Sequence, residues 1–109
     1  MKKIYISTPI NARREKTFQE KRDAAFRRCN RLKCIIENEW ENVQAITPFM
    51  VIGVHDDVSE AEAIGRCITA LLQCDAIYLD HGWNGSKGCT LEYYAAKRYG
   101  IEVIEHDKV

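Results

Sequence analysis

The stretch Cys74-Asp75-Ala76-Ile77-Tyr78-Leu79-Asp80-His81-Gly82-Trp83-Asn84-Gly85-Ser86-Lys87-Gly88-Cys89-Thr90-Leu91-Glu92 reads as a strand, a glycine loop and the start of a helix. Ala76 to Leu79 is a short apolar run with Ile and Tyr, the pattern of a strand buried on both faces. Gly82, Gly85 and Gly88 follow, and loops take glycine where the backbone needs a positive φ or must approach something closely. Ser86 is suited to cap a helix that carries Leu91, Tyr94, Ala95, Arg98 and Tyr99 at helical spacing. A loop at the carboxyl end of a strand thus delivers a helix N-terminus, the place where open α/β sheets bind anions. Glu92 falls in the second turn, where the helix dipole favours a carboxylate, and Gly88 lies on the same helix face. With no side chain at 88, a ligand can reach that carboxylate.

Working outward, Lys3 to Ser7 reads as a first strand, stopped by Pro9, and Ser7-Thr8-Pro9-Ile10-Asn11 as the loop at its carboxyl end. The hydroxyls of Ser7 and Thr8 suit a phosphate or sugar, although Ser and Thr also serve as plain turn residues. Arg13 to Glu37 reads as a long helix with Phe18, Ala25, Cys29, Leu32 and Ile36 on one apolar stripe. Its many Arg and Lys residues are expected on a solvated outer face, with Arg13 and Arg14 near enough to the helix start to approach an anion.

After the connection Glu39-Trp40-Glu41-Asn42, Val43 to Thr47 reads as a second strand ended by Pro48, and Phe49 to Asp57 as a loop carrying His55, Asp56 and Asp57, minor candidates for an acid. Ser59-Glu60-Ala61-Glu62 fits a capping box for a helix with Ala61, Ile64, Ile68, Leu71 and Leu72, running to about Gln73. Asp75 opens the third strand at the amino edge and is read as structural. Gly100 is the stop of the last helix, and Ile101 to Ile104 a fourth strand.

The resulting β-α-β-α-β-α-β order predicts an α/β, flavodoxin-like or Rossmann-like three-layer sandwich: a four-stranded parallel sheet of order 2-1-3-4 with helices on both faces. Its ligand crevice is expected between strands one and three, where the winding reverses. The 109 residues predict one domain, 1–109. A formal net charge of zero gives no electrostatic support for a nucleic-acid or membrane footprint. No apolar run approaches the roughly 20 residues that span a bilayer. Five cysteines without a CxxC pair predict reduced core thiols in a cytoplasmic protein, and no two of the three histidines are spaced as zinc ligands.

A carboxylate at a helix start is ordinarily only a favourable charge. The glycine approach and the position over the crevice raise Glu92 to a candidate nucleophile at an anomeric carbon, in the manner of retaining glycosyl transfer. Tyr5 and Ser86, with the backbone N–H groups of the 85–88 loop, complete the predicted site.

Lys3-Ile4-Tyr5-Ile6-Ser7 with Pro9-Ile10, Leu72 with Cys74 to Leu79, Gly82-Trp83, Ser86-Lys87-Gly88 and Leu91-Glu92 resemble the nucleoside 2-deoxyribosyltransferase-like superfamily, in particular its small phage and bacterial members of unknown function. The resemblance runs over nearly the whole chain, and the Gly-Trp…Ser-Lys-Gly…Glu segment is its most specific part. It implies Glu92 as the nucleophile on deoxyribose C1′, oriented by Tyr5, and Ser86 as a 5′-phosphate ligand, which tilts the chain towards a nucleotide and towards water as acceptor. Ser7, Thr8, Pro9, Gly82, Trp83, Gly85, Ser86, Lys87 and Gly88 are the implied substrate-binding residues. It further implies a homo-oligomer and no metal or organic cofactor.

Two positions depart from the family pattern. Thr8 stands where relatives usually have Gly, and Cys67 where they often carry an Asp that serves the sugar or the leaving base. These departures keep a second expectation open, a nucleotide or sugar-nucleotide sensor that has lost catalysis. A flavin carrier of flavodoxin type would need a run of Ser, Thr and Gly in the first loop, which the sequence lacks.

Overall fold

The computed structural model describes residues 1–10, 18–53 and 58–105. In chain order these form β1 (Lys2–Ser7), α1 (Phe18–Glu39), β2 (Val43–Ile46), α2 (Pro48–Val51), α3 (Glu60–Leu71), β3 (Ala76–Leu79), a 3₁₀ turn (Trp83–Gly85), α4 (Lys87–Arg98) and β4 (Glu102–Glu105). The four strands pair in parallel in the order β2-β1-β3-β4, as predicted. Asn11, Arg13, Arg14, Lys16 and the Phe18 side chain lie outside the described residues, as do His55, Asp56 and Asp57.

β1 is central because both its neighbours are pinned in register, Tyr5 against Ile46 of β2 and against Ile77 of β3. Flanked on both edges and both faces, Ile4, Tyr5, Ile6 and Ser7 are all fully buried. Period-two alternation divides them. Ile4 and Ile6 face α1, packing with Ala76, Tyr78 and with Leu32 and Ile36 of the helix stripe. Tyr5 faces the other layer with Ile77, Leu79, Leu71 and Ala96, where α3 and α4 pack. One helix therefore covers one face and two cover the other. Right-handed crossovers require this when the chain first winds to β2 and then reverses across β1 to β3. Asp75 stands at the amino edge as expected, its carboxylate accepting from the Lys3 N–H at 2.8 Å.

The local differences from the sequence reading each have a physical cause. The residues after β2 open with a helical turn, α2, because Thr47 caps it and Pro48 supplies a first-turn residue with φ already set. Only half the capping box of α3 forms. Ser59 Oγ accepts from the Glu62 N–H, while the Glu62 carboxylate turns to Arg66 at 2.7 Å. The buried stripe of α3 runs through Cys67 and Leu71 rather than Leu72, which is 37% exposed.

The face of α4 is also rotated. Cys89, Glu92 and Ala96 point inward, and Leu91, Tyr94 and Tyr99 are exposed. Small side chains let the helix approach the sheet, and hydroxyls on β1 accommodate the carboxylate, so hydrophobicity alone assigned the wrong face. Of the cysteines, Cys29, Cys67, Cys74 and Cys89 are buried thiols, but Cys34 is exposed. No helix among the described residues is long and apolar enough to cross a membrane.

Candidate active site

Glu92 is 7% exposed and accepts a hydrogen bond on each carboxylate oxygen, from Tyr5 Oη on Oε2 at 2.5 Å and from Ser7 Oγ on Oε1 at 2.7 Å. Tyr5 and Ser7 share one face of β1, so a single strand aims both hydroxyls at one carboxylate. Burial disfavours the charged form and pushes the Glu92 pKa up to about 7, against the opposing pull of the two hydroxyls. Burial, and then the adjacent Glu92, hold the Tyr5 phenol well above its ordinary value, so it stays a neutral donor. The Cys67 thiol stands beside the Tyr5 hydroxyl, and burial raises its pKa to about 11.

A cavity of about 390 Å³ opens over Glu92. Its polar end is made by Thr8, Ser86, Lys87 and Gly88, and Arg22 of α1 also lines it. Its apolar wall comes from Pro48, Phe49 and Ile52 around α2 and from Ala63, Ile64 and Cys67 of α3. Phe49 is braced edge-on by Phe26 of α1, with ring centroids 5.4 Å apart. A volume of this size, with one apolar wall and a few convergent polar groups, fits a small organic ligand.

The start of α4 forms where the sequence placed it. Ser86 is extended and its Oγ accepts from the Cys89 N–H at 3.3 Å, closing the cap. Gly82 takes φ +83, the left-handed turn that ends β3. Gly85 and Ser86 donate their N–H groups within the 3₁₀ turn, to Gly82 and Trp83. The first-turn amides of α4, at Lys87 and Gly88, are then the ones in position to meet an anion. A Cβ built at Gly88 would meet nothing within 4 Å, so protein packing does not require a glycine there.

The predicted site residues divide into two groups. Thr8, Ser86, Lys87, Gly88 and Glu92 line the cavity together. Tyr5 and Ser7 lie beneath it, fully buried and bonded to Glu92. Pro9 and Gly82 meet at the crest of the sheet, where a Cβ on Gly82 would lie 3.7 Å from Pro9. Trp83 packs on Tyr93 at 4.7 Å between ring centroids, and neither it nor Gly85 reaches the cavity wall.

The apolar wall from α2 and α3 was missed in the sequence. Its legible signal was Pro48-Phe49 directly after the second strand, on the same carboxyl edge as the glycine stretch. That wall also moves the binding space towards α2 and α3, away from a crevice confined to β1 and β3. Among the described residues no three His, Cys, Asp or Glu side chains are grouped to share a metal ion.

Behind the site, Asp80 at the end of β3 is nearly sealed from solvent. Arg28 of α1 grips it with two hydrogen bonds, Nε to Oδ2 at 3.0 Å and Nη2 to Oδ1 at 2.8 Å. Asp80 also accepts from the His81 N–H and, through its carbonyl, from the Trp83 N–H. The pair ties α1 to the turn that launches α4.

No curated protein matches the sequence. Among solved structures, the chain superposes on the 2-desoxiribosyltransferase from Leishmania mexicana with a TM-score of 0.68 at 17% identity, covering 96% of this chain and 63% of that one. The likeness is one of fold, and the chain spans under two thirds of that enzyme's length. A family model described as a domain of unknown function (DUF4406) matches residues 2–105, and the chain belongs to that family.

Proposed function

We propose that the protein is an N-glycosidase-type enzyme that acts on a deoxynucleotide or related nucleotide through a covalent glycosyl ester on Glu92, with hydrolysis favoured over base transfer. The observation that carries this reading is the Glu92 carboxylate, buried at the floor of the cavity with one hydroxyl on each oxygen. An ionised carboxylate has about four lone-pair sites, so two hydrogen bonds fix its orientation and leave lone pairs for attack. In the first step a Glu92 oxygen bonds to C1′ and the C1′–N bond breaks, its electron pair leaving with the base. In the second step water attacks C1′ and frees the carboxylate. Across both steps one water is consumed, its hydroxyl ending on C1′ and its remaining proton on the base.

The apolar wall at Phe49 and Ile52 suits a planar base. Ser86 and the Lys87 and Gly88 amides at the start of α4 suit a 5′-phosphate. The fold shared with a 2-desoxiribosyltransferase is consistent with glycosyl chemistry at this edge of the sheet.

The test is chromatographic. Purified protein and Glu92→Ala are incubated with a panel of ribonucleotides and deoxynucleotides and scored for free base. Release by the wild type alone supports the reading, and equal release by a folded Glu92→Ala variant overturns it.

One observation favours a second reading, a nucleotide-binding sensor without turnover. The Cys67 thiol at the cavity, with its pKa raised to about 11, is a poor proton donor to a leaving base. Nucleotides that protect the fold against heat while no base is released would establish that alternative.

A further inference from the structure

Thr8, which lines the same cavity as Glu92, carries an unmet polar atom. The residue is 7% exposed and lines the cavity, yet its Oγ1 has no hydrogen-bond partner among the described residues. The Cys29 thiol lies beside it without reaching hydrogen-bond geometry. A buried hydroxyl without a partner is destabilising, and native structures rarely keep one unless something completes it. Thr8 lines the cavity, and a turn of about 120° around its Cα–Cβ bond would carry the hydroxyl to another staggered position.

Stereochemistry says which ligand group would meet it. In a β-nucleotide the base leaves from one face of the sugar ring, so a displacing carboxylate arrives from the opposite face. The 2′-hydroxyl of ribose projects from that opposite face, on the carbon next to C1′. It therefore falls beside the Glu92 oxygens. Tyr5 and Ser7 already occupy those oxygens from below, and the next residue of the chain is Thr8. The empty space at Gly88 leaves room for the extra oxygen. A threonine hydroxyl both donates and accepts, so it can pair with a sugar hydroxyl in either sense.

We propose that Thr8 makes this site select a ribose over a 2′-deoxyribose, its hydroxyl pairing with the sugar's 2′-hydroxyl. The proposal rests on the nucleotide reading of the cavity and narrows its substrate class to ribonucleotides. A site that leaves a polar group unpaired with the wrong ligand discriminates against that ligand, here by about tenfold for one neutral hydrogen bond.

The test is calorimetric titration of the full chain with ribonucleoside 5′-monophosphates and their 2′-deoxy counterparts, at a pH below the Glu92 transition near 7 so that ligand is not consumed. Wild type should bind the matching ribonucleotide about tenfold tighter than its deoxy form. Thr8→Val, which keeps the shape and removes the hydroxyl, should bring the two affinities together, and Thr8→Ser should keep them apart. Where Thr8→Val melts early, Thr8→Ala takes its place. Equal affinities in wild type, a preference for the deoxy form, or a ribose preference that survives loss of the hydroxyl each overturn the proposal and leave the nucleotide reading standing. Binding of neither series by wild type overturns both.

Discussion

Tyr5 on the central strand donates to Glu92 on the last helix at 2.5 Å, a contact between residues 87 apart in sequence and buried at both ends. The Tyr5 hydroxyl favours the ionised carboxylate and opposes the burial that disfavours it. Under the proposed mechanism, Tyr5→Phe should lower turnover by about a hundredfold through loss of orientation. It should also shift the pH–rate midpoint upward, because one of the groups lowering the Glu92 pKa is gone. A pH profile of base release for both proteins checks this; an unmoved midpoint contradicts it.

Glu92 also makes stability depend on pH, and the sign is unusual for a carboxylate. Its folded pKa, about 7, lies above the ordinary value of 4.5, so the folded state binds more protons between them. Its contribution is therefore favourable below about 4.5 and is lost as pH rises through 7. The full swing is about 3 kcal/mol at 1.36 kcal/mol per unit. Denaturant unfolding of wild type and Glu92→Gln across this range should give a difference that moves in favour of Gln as pH rises. Base release should rise over the same interval, since the attacking oxygen must be ionised.

Gly88 separates folding from ligand access. A Cβ built there meets no atom of the described residues within 4 Å, and glycine is the poorer helix former by about 1 kcal/mol. Gly88→Ala should therefore melt no lower than wild type, and Gly88→Leu should lose nucleotide binding, because the longer side chain enters the cavity. A thermal melt with and without nucleotide reads both; retained ligand protection would show that the cavity is not the binding site.

Ser86 has a structural and a proposed binding role that one substitution can divide. Aspartate caps helices as well as serine does, so Ser86→Asp should leave stability within about 0.5 kcal/mol, whereas Ser86→Ala should cost about 1 kcal/mol. The added carboxylate should weaken nucleoside monophosphate binding and spare the free nucleoside. Titration with a matched nucleotide and nucleoside distinguishes this from a merely damaged site, which would lose both.

Arg28 and Asp80 carry a stability prediction independent of function. The Asp80 side chain is 4% exposed and that of Arg28 41%. Removing the cation takes two hydrogen bonds from a buried carboxylate, and solvent screens the half-exposed guanidinium in part, so Arg28→Met should cost about 1–3 kcal/mol. Adding Asp80→Asn should recover part of that loss. Chemical denaturation of the single and double variants measures the coupling.

Much of the fold was legible because its signals are local. The apolar runs of β1 and β3, the cap at Ser86 and the stops at Pro9 and Gly100 each depend on a few neighbouring residues. Their alternation with helices leaves few parallel topologies once crossovers must be right-handed. The rotated face of α4 was not legible, since Leu91 and Tyr94 are more apolar than the Cys89, Glu92 and Ala96 that face inward. Burial of Glu92 depends on hydroxyls supplied by a strand at the other end of the chain.

The sequence by itself determined the strand order and the helix that starts at Ser86, since spacing and residue type decide these, whereas the pairing of Tyr5 with Glu92 was implied by the family resemblance. Tertiary structure alone decided that Ser7 shares the carboxylate, that α2 and α3 wall the cavity, and that Thr8 is left with an unmet hydroxyl. Each of these is a matter of which donors, acceptors and apolar surfaces meet in space. Desolvation and hydrogen bonding are set by that meeting and not by order along the chain.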